Sequence, residues 1–323
     1  MEIFGIKFAP LNVPWERRLE TFAVGVNISY TLFLLFMGYP LLIYFFFYSE
    51  ILRYLMLLYL FWIYYDNHLY NVGGKRAKLK QWFRTCALNR YYCRYFPIKL
   101  VKTTDLDPNK LYLFCNFPHG IFASGVYGAF GTDAAGYSEL FPAVASSSPE
   151  SVNQLLSTKP EAPYTGRATV LIVGGAAEAA ECMPGTYRIL IKRRKGFVRL
   201  ALKNGVPIVP VCSFGETNVY DQVTFPEGSF MKKAMNFIRK TTGIAPILII
   251  GRGFFQYSFG IIPRRTSVTV VVGSPMDLPK IEEPTEEQIN EYHGKFVDHL
   301  VNFFEKEKHK YIENADSVHL EFV

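Results

Sequence analysis

The sequence predicts an α/β domain on a mainly parallel sheet with flanking helices, preceded by an N-terminal hydrophobic membrane hairpin. Two observations carry this reading. Short apolar runs at 111–117, 168–173, 207–214, 246–250 and 267–272 are each bounded by Gly or Pro, as strands buried on both faces require. Ahead of them, residues 22–48 carry no charge at all, enough to cross about 30 Å of hydrocarbon as a helix.

Taken in order, residues 1–21 form a short cytosolic leader with Arg17 and Arg18; Glu16 and Glu20 argue against a cleavable signal. The hairpin occupies 22–65: Gly38 and Pro40 interrupt it, and its second run contains Arg53, which would snorkel to the interface. Residues 66–97 read as a basic, aromatic interfacial segment. Lys75, Arg76, Lys78, Lys80, Arg84, Arg90 and Arg94 interleave there with Trp82, Phe83, Tyr91, Tyr92, Tyr95 and Phe96. Basic flanks on both sides of the hairpin set both on the cytoplasmic side, against anionic lipid. The net charge of +7 asks for an anionic partner, and the adjoining hairpin disfavours nucleic acid. Five scattered cysteines without zinc-type spacing read as reduced thiols.

The globular part, 98–323, holds the strand candidates. Between two of them, 196–204 has helical spacing with Gly205 placed at its C-terminus, and 146–166 reads as loop or short helix. Thr285-Glu286-Glu287-Gln288 is a capping box opening a terminal amphipathic helix.

Three stretches carry chemistry. Pro118-His119-Gly120 ends the 111–117 strand, so an imidazole stands just past the carboxyl end of a buried strand, where open α/β sheets form ligand crevices. A hydrogen-bonded turn histidine is the plainer alternative. Gly174-Gly175-Ala176-Ala177-Glu178 follows the next strand; were the two strands neighbours, Glu178 could orient the His119 ring while its other nitrogen takes a proton from a hydroxyl. Glu178 alone also reads as a helix N-terminal carboxylate. Lys192-Arg193-Arg194-Lys195-Gly196 runs into a helix and is either an anion site suited to a phosphate-bearing cofactor such as coenzyme A, or a solvated basic face. Gly215, Glu216 and Asn218 follow another strand toward the same crevice. Arg252, between Gly251 and Gly253, is either anion-binding or paired to a carboxylate.

These motifs, with Met183-Pro184-Gly185, Val209-Pro210 and Ser213-Phe214-Gly215-Glu216, occur in one order over nearly the whole chain. In this the sequence resembles the diacylglycerol acyltransferase type 2 family, which includes monoacylglycerol and wax-alcohol acyltransferases. The resemblance implies a glycerolipid-acyltransferase-like fold over 98–323 and an endoplasmic-reticulum membrane enzyme facing the cytosol, with lipid droplets as a second location. It implies transfer of a fatty acyl group from acyl-CoA to diacylglycerol, making triacylglycerol, with monoacylglycerol or fatty alcohol as the alternative acceptor. No permanently bound cofactor or metal is implied, acyl-CoA being a co-substrate; a homo-oligomer is left open. His119 takes the place of the catalytic histidine, with Glu178 as its partner and Asp133 a weaker candidate. Pro118, Gly120, Gly174 and Gly175 would supply motif backbone for the oxyanion, and Arg193, Arg194, Lys195 and Gly196 would hold the coenzyme. One departure stands out: Phe117 replaces the first histidine of the family's His-Pro-His-Gly motif, and is expected to tune the pocket. A thioesterase using water, or an inactive lipid-binding relative, are the rival readings. A covalent route through Cys182 or Cys115 is disfavoured by their apolar surroundings.

Overall fold

A computed structural model describes residues 2–10, 12–70, 77–147, 152–160 and 162–323, so that Lys75 and Arg76 of the basic flank lie outside the described residues. The chain opens with an antiparallel pair, β1 (Glu2–Ile3) and β2 (Ile6–Lys7). Helix α1 (Trp15–Phe33) starts after Pro14 and continues through a π-helical turn, Leu34–Gly38, into α2 (Tyr39–Tyr48). The π turn has a cause. Pro40 lacks an N–H and its ring crowds the carbonyl four residues back, so the ladder widens ahead of it. Ser49 is extended and ends α2, and α3 (Glu50–Tyr70) follows at once. Arg53 donates to the carbonyls of Phe46 and Phe47 at 2.8 and 3.0 Å, satisfying the end of α2 where the sequence suggests snorkelling.

Among the described residues one helix, Trp15–Tyr48, is long and apolar enough to cross a membrane. Its first half is docked on protein. Val24 and Ile28 are buried in one core with Tyr92, Tyr95 and Phe96, whereas no side chain between Ser29 and Tyr65 is buried. The uncovered apolar stretch therefore begins after Ile28 and not at residue 22. Helices α4 (Ala77–Thr85) and α5 (Ala87–Tyr95) lead into the globular part. Trp82 and Phe83 are exposed, but α5 turns Tyr92 and Tyr95 onto α1 and leaves Arg90 and Arg94 outward. Those aromatics belong to the core, not to a lipid interface as the sequence pattern suggests. Burial of the ring face outweighs interfacial placement once α1 is there to cover it.

The next elements are β3 (Lys99–Lys102), β4 (Leu111–Phe117), α6 (Ser124–Val126) running into a π turn at Tyr127–Gly131, α7 (Tyr137–Leu140) and β5 (Val144–Ser147). Then come α8 (Val152–Ser157), β6 (Gly166–Ile172), α9 (Gly175–Ala179), β7 (Tyr187–Ile189), α10 (Gly196–Asn204) and β8 (Ile208–Phe214). The chain closes with β9 (Asp221–Gln222), α11 (Phe230–Thr242), β10 (Ile249–Ile250), β11 (Thr269–Val272), α12 (Glu286–Lys308) and β12 (Leu320–Phe322).

The central sheet has six strands in the order β3-β11-β8-β4-β6-β5. It is mixed: β5–β6, β6–β4, β4–β8 and β11–β3 pair in parallel, and β11 runs antiparallel to β8. The 246–250 run contributes only β10, which pairs with β9 outside this sheet, because Pro246 cannot donate to a ladder. One face of the sheet is covered by α1, α5 and the 124–131 stretch around Phe114, Val170 and Val211. The other is covered by α8, α10 and α12 around Leu113, Cys115 and Cys212. Central β4 has β6 on one side and β8 on the other, so the order reverses there and the crevice at a switch point opens past its carboxyl end.

Gly205, at φ +63°, ends α10 in the left-handed conformation, and the Thr285–Gln288 capping box opens α12 with both reciprocal bonds formed. Removing the cap hydroxyl with Thr285→Ala is expected to destabilise the domain by about 1 kcal/mol without altering its sheet. Thermal unfolding of the detergent-solubilised chain measures it.

Candidate active site

The chain leaves β4 at Phe117 and turns through Pro118, His119 and Gly120. Polar side chains hold the start of this turn. Ser213 Oγ donates to Asn116 Oδ1 at 2.7 Å, and Asn116 Nδ2 donates to the Pro118 carbonyl at 3.2 Å, both in the buried interior. Gly120 has φ +65°, and a Cβ there would lie 2.4 Å from Glu216 Cγ, so both its backbone and its lack of a side chain are required.

His119 is partly exposed, and its Nδ1 lies 2.9 Å from the Gly120 carbonyl oxygen. A carbonyl can only accept, so Nδ1 carries the proton and Nε2 keeps its lone pair. Desolvation lowers the imidazole pKa from 6.5, opposed by backbone hydrogen bonding, and so favours the neutral base.

Glu178 meets this histidine at a different point from the one its sequence position suggests. Its Oε1 accepts the backbone N–H of His119 at 2.6 Å and its Oε2 accepts that of Leu190 at 2.7 Å. The carboxylate thus holds the loop, and the ring is oriented by a main-chain carbonyl. Strands β4 and β6 are indeed neighbours, but α9 turns Glu178 inward beneath the loop. Asp133 is engaged elsewhere, accepting from Ser138 N–H and Oγ at 3.0 and 2.7 Å.

A second carboxylate grips the other end of the loop. Glu216, fully buried after β8, accepts the N–H groups of Ser124 and Gly125 at 2.8 and 2.6 Å. Burial pushes Glu178 up to about 7 against the pull of its two backbone N–H bonds and Arg194, and pushes Glu216 up to about 7 against its own two. The neighbouring motifs are tied to the same frame. Asn218 Oδ1 accepts the Gly185 N–H at 2.7 Å, and Tyr187 Oη accepts the Gly215 N–H at 3.3 Å.

Phe117 does not face the crevice. It is fully buried on the α12 side of the sheet, with its ring 6.5 Å from that of Phe296, in the cluster with Phe197. Alternation along β4 decides this: Leu113, Cys115 and Phe117 share one face, and Tyr112, Phe114 and Asn116 the other. It is a core residue and no wall of the pocket.

The basic run is joined to the site through Arg194, whose Nη2 lies 3.4 Å from the Gly174 carbonyl. Lys195 donates to Asn290 at 2.6 Å, Lys192 sits over the Phe322 ring, and Arg193 is exposed. Gly174 and Gly175 form the turn between β6 and α9, and Gly196 opens α10. Pro118 has no N–H and so cannot contribute a donor to an oxyanion. Burial pushes the Cys182 thiol up to about 12 and raises that of Cys115, which suits inert thiols. Immediately after the histidine loop, Phe122, Val126 and Phe130 face Val170 and Ile172 across an apolar cleft of about 360 Å³.

A family model described as diacylglycerol acyltransferase matches residues 44–148 and 144–322. A diacylglycerol O-acyltransferase 2 of Dictyostelium discoideum is 37% identical over 94% of this chain and 96% of its own. A 2-acylglycerol O-acyltransferase 1 of Bos taurus is 38% identical over 95% and 96%. Among solved structures, the 1-acyl-sn-glycerophosphate acyltransferase of Thermotoga maritima covers 79% of this chain and 97% of its own at 14% identity, with a TM-score of 0.29.

The geometry sets two expectations. Phe117→His puts an imidazole into an apolar core, so it lowers stability by about 1–3 kcal/mol and gives no gain in turnover, as unfolding and activity measured side by side will read. Glu178 is an acid whose folded pKa lies above its unfolded 4.5, so the folded state holds the extra proton between about 4.5 and 7. Its contribution to stability is therefore lost as pH rises through that window. The midpoint of unfolding against pH should be flatter over it in Glu178→Gln than in wild type.

Proposed function

This chain belongs to the diacylglycerol acyltransferase family and is an O-acyltransferase, and from that premise we propose that it moves a fatty acyl group from acyl-CoA to the free hydroxyl of diacylglycerol, making triacylglycerol. The observation that carries the chemistry is the tautomer of His119. With Nδ1–H spent on the Gly120 carbonyl, Nε2 is the base, held on a rigid loop past the end of β4.

In the proposed reaction the acceptor hydroxyl gives its proton to Nε2 as its oxygen forms a bond to the thioester carbonyl carbon. The resulting oxyanion is stabilised by N–H groups of Gly120 and of the Gly174–Gly175 turn. Collapse breaks the carbon–sulfur bond, and the imidazolium returns the proton to the departing coenzyme thiolate. Nucleophilic protein thiols are not used. The apolar cleft beside Phe122 and Ile172 suits an acyl chain, and Arg193 and Arg194, with Lys195 and the start of α10 at Gly196, suit the coenzyme phosphates. Support for Arg194 in particular comes from its contact with Gly174.

Monoacylglycerol is the second acceptor to weigh, because 2-acylglycerol acyltransferases match this chain as well as the diacylglycerol enzymes do. The exposed apolar side chains from α1 to α3 support membrane anchorage through a hairpin. We place that anchor in the endoplasmic reticulum with the catalytic domain in the cytosol, and a non-spanning hairpin would also allow lipid droplets.

Membranes carrying the protein, labelled oleoyl-CoA and either diacylglycerol, monoacylglycerol or fatty alcohol provide the test. His119→Ala should lower acceptor-dependent ester formation by about 10²–10⁴-fold at matched expression. Because desolvation lowers the histidine pKa, the acid limb of the wild-type pH–rate profile should fall below 6.5. Free fatty acid released without an acceptor would point to a thioesterase, and equal ester from wild type and variant would remove His119 from the mechanism.

A further inference from the structure

Where α1 begins, a pocket of about 550 Å³ is lined by four arginines, Arg17, Arg252, Arg264 and Arg265. They come from distant parts of the chain, and the fold has built them together. The main chain of residues 7–9 is bonded to the 255–258 loop, Ala9 N–H to the Phe255 carbonyl at 2.8 Å and Tyr257 N–H to the Lys7 carbonyl at 2.7 Å. Two of the four guanidinium groups are neutralised. Arg264 pairs with Asp221 and Arg265 with Glu20, and Arg265 also stacks on the Tyr95 ring at 4.4 Å. The other two, Arg17 and Arg252, have no carboxylate partner among the described residues. Arg252 is nevertheless fixed: it stacks on Tyr257 at 4.5 Å, and its Nε donates to the Gly253 carbonyl at 3.1 Å, which leaves both terminal nitrogens available. The pocket therefore keeps an uncompensated charge of about +2 with one fork pre-oriented, the arrangement that matches a phosphate.

The surroundings say where that phosphate comes from. Trp15, Phe22, Val26 and Tyr30 are exposed along the face of α1 turned away from Arg17 and Thr21, forming an apolar stripe continuous with the uncovered helix beyond Ile28. On the other side of the pocket Phe255 is 69% exposed. A basic recess beside exposed Phe254 and Phe255, at the foot of a helix whose outer face is apolar, fits the lipid–water interface, with its phosphates and not the bulk solution in reach. We propose that this pocket binds the phosphate of an anionic glycerophospholipid headgroup, at a site separate from His119 and from the 192–195 run. The acyl chains of that lipid would lie against the exposed Phe254 and Phe255 of the loop beside the pocket, so the site would fix how deeply this end of the domain sits against the membrane.

The test uses the full chain in neutral detergent, with native mass spectrometry reading bound dioleoyl phosphatidic acid against dioleoyl phosphatidylcholine. Arg17→Gln with Arg252→Gln removes the two unpaired charges and leaves both ion pairs intact. Wild type should retain phosphatidic acid in preference to phosphatidylcholine, and the double variant should lose that preference by about tenfold or more. The double lysine variant, Arg17→Lys with Arg252→Lys, should keep much of it, which separates lost charge from lost folding. Inorganic phosphate and coenzyme A are the competing arms. Equal phosphatidic acid on wild type and double glutamine variant would overturn the proposal. So would displacement by coenzyme A together with a raised KM for acyl-CoA in that variant, since the pocket would then be the coenzyme's. Basal transfer in neutral detergent is read separately, so a failure of the His119 mechanism and a failure of this site are distinguishable.

Discussion

Two buried carboxylates set the geometry of the histidine loop. Glu178 accepts from His119 and Leu190, Glu216 accepts from Ser124 and Gly125, and the loop from 118 to 123 is stretched between them. Main-chain N–H groups in a turn have no ladder to join, and leaving them buried and unpaired would cost more than the hydrogen bonds gain. Each carboxylate supplies two acceptors at once, at the expense of its own desolvation, which is why both pKa values rise. The outcome is a histidine whose ring is free of any acidic partner but whose backbone cannot shift.

That division of labour changes how the family motif is understood in this chain. Five residues after His119 stands Ser124, which brings no carboxylate of its own. The structure brings a carboxylate to the same point from the far side, since Glu216 binds the main chain of residue 124 itself. Phe117 follows the same logic of position over identity. A strand residue facing α12 must satisfy a core built of Phe197, Phe296 and Phe304, and an aromatic hydrocarbon does so without needing a hydrogen-bond partner.

Much of the central architecture was legible because its signals are local. Strands β4, β6, β8 and β11, helix α10 with Gly205 and the capping box of α12 all announce themselves by apolar runs or end signals within a few residues. The position of His119 past β4 was readable for the same reason. What was not legible depends on contacts distant in sequence. The edge strands β3 and β5 are four residues each, and the lysines at both ends of β3 mask it as surface loop. Helix α11, by contrast, does carry an apolar stripe at helical spacing, Phe230, Met231, Phe237 and Ile238, a local signal the strand-centred reading passed over, and the fold leaves it exposed. Whether Glu178 would reach the ring or the backbone of His119 turned on how α9 leaves β6, and no spacing rule encodes that. The docking of Tyr92 and Tyr95 beneath α1 likewise needed the partner helix to be seen.

The direction of β11 links the crevice end of the sheet to the apolar helix. Because β11 runs antiparallel to β8, its entry at Arg265 and Val268 lies at the end where β4, β6 and β8 finish. Strand β3 runs parallel to β11, so α5, which precedes it, also packs at that end. Helix α1 is fastened there twice, by burial of Val24 and Ile28 against α5 and by the Glu20–Arg265 ion pair. A helix whose continuation has only apolar surface to offer is thus fixed beside the crevice and not at the opposite pole. Reversing the sense of that single strand pairing would move the helix to the other end of the sheet.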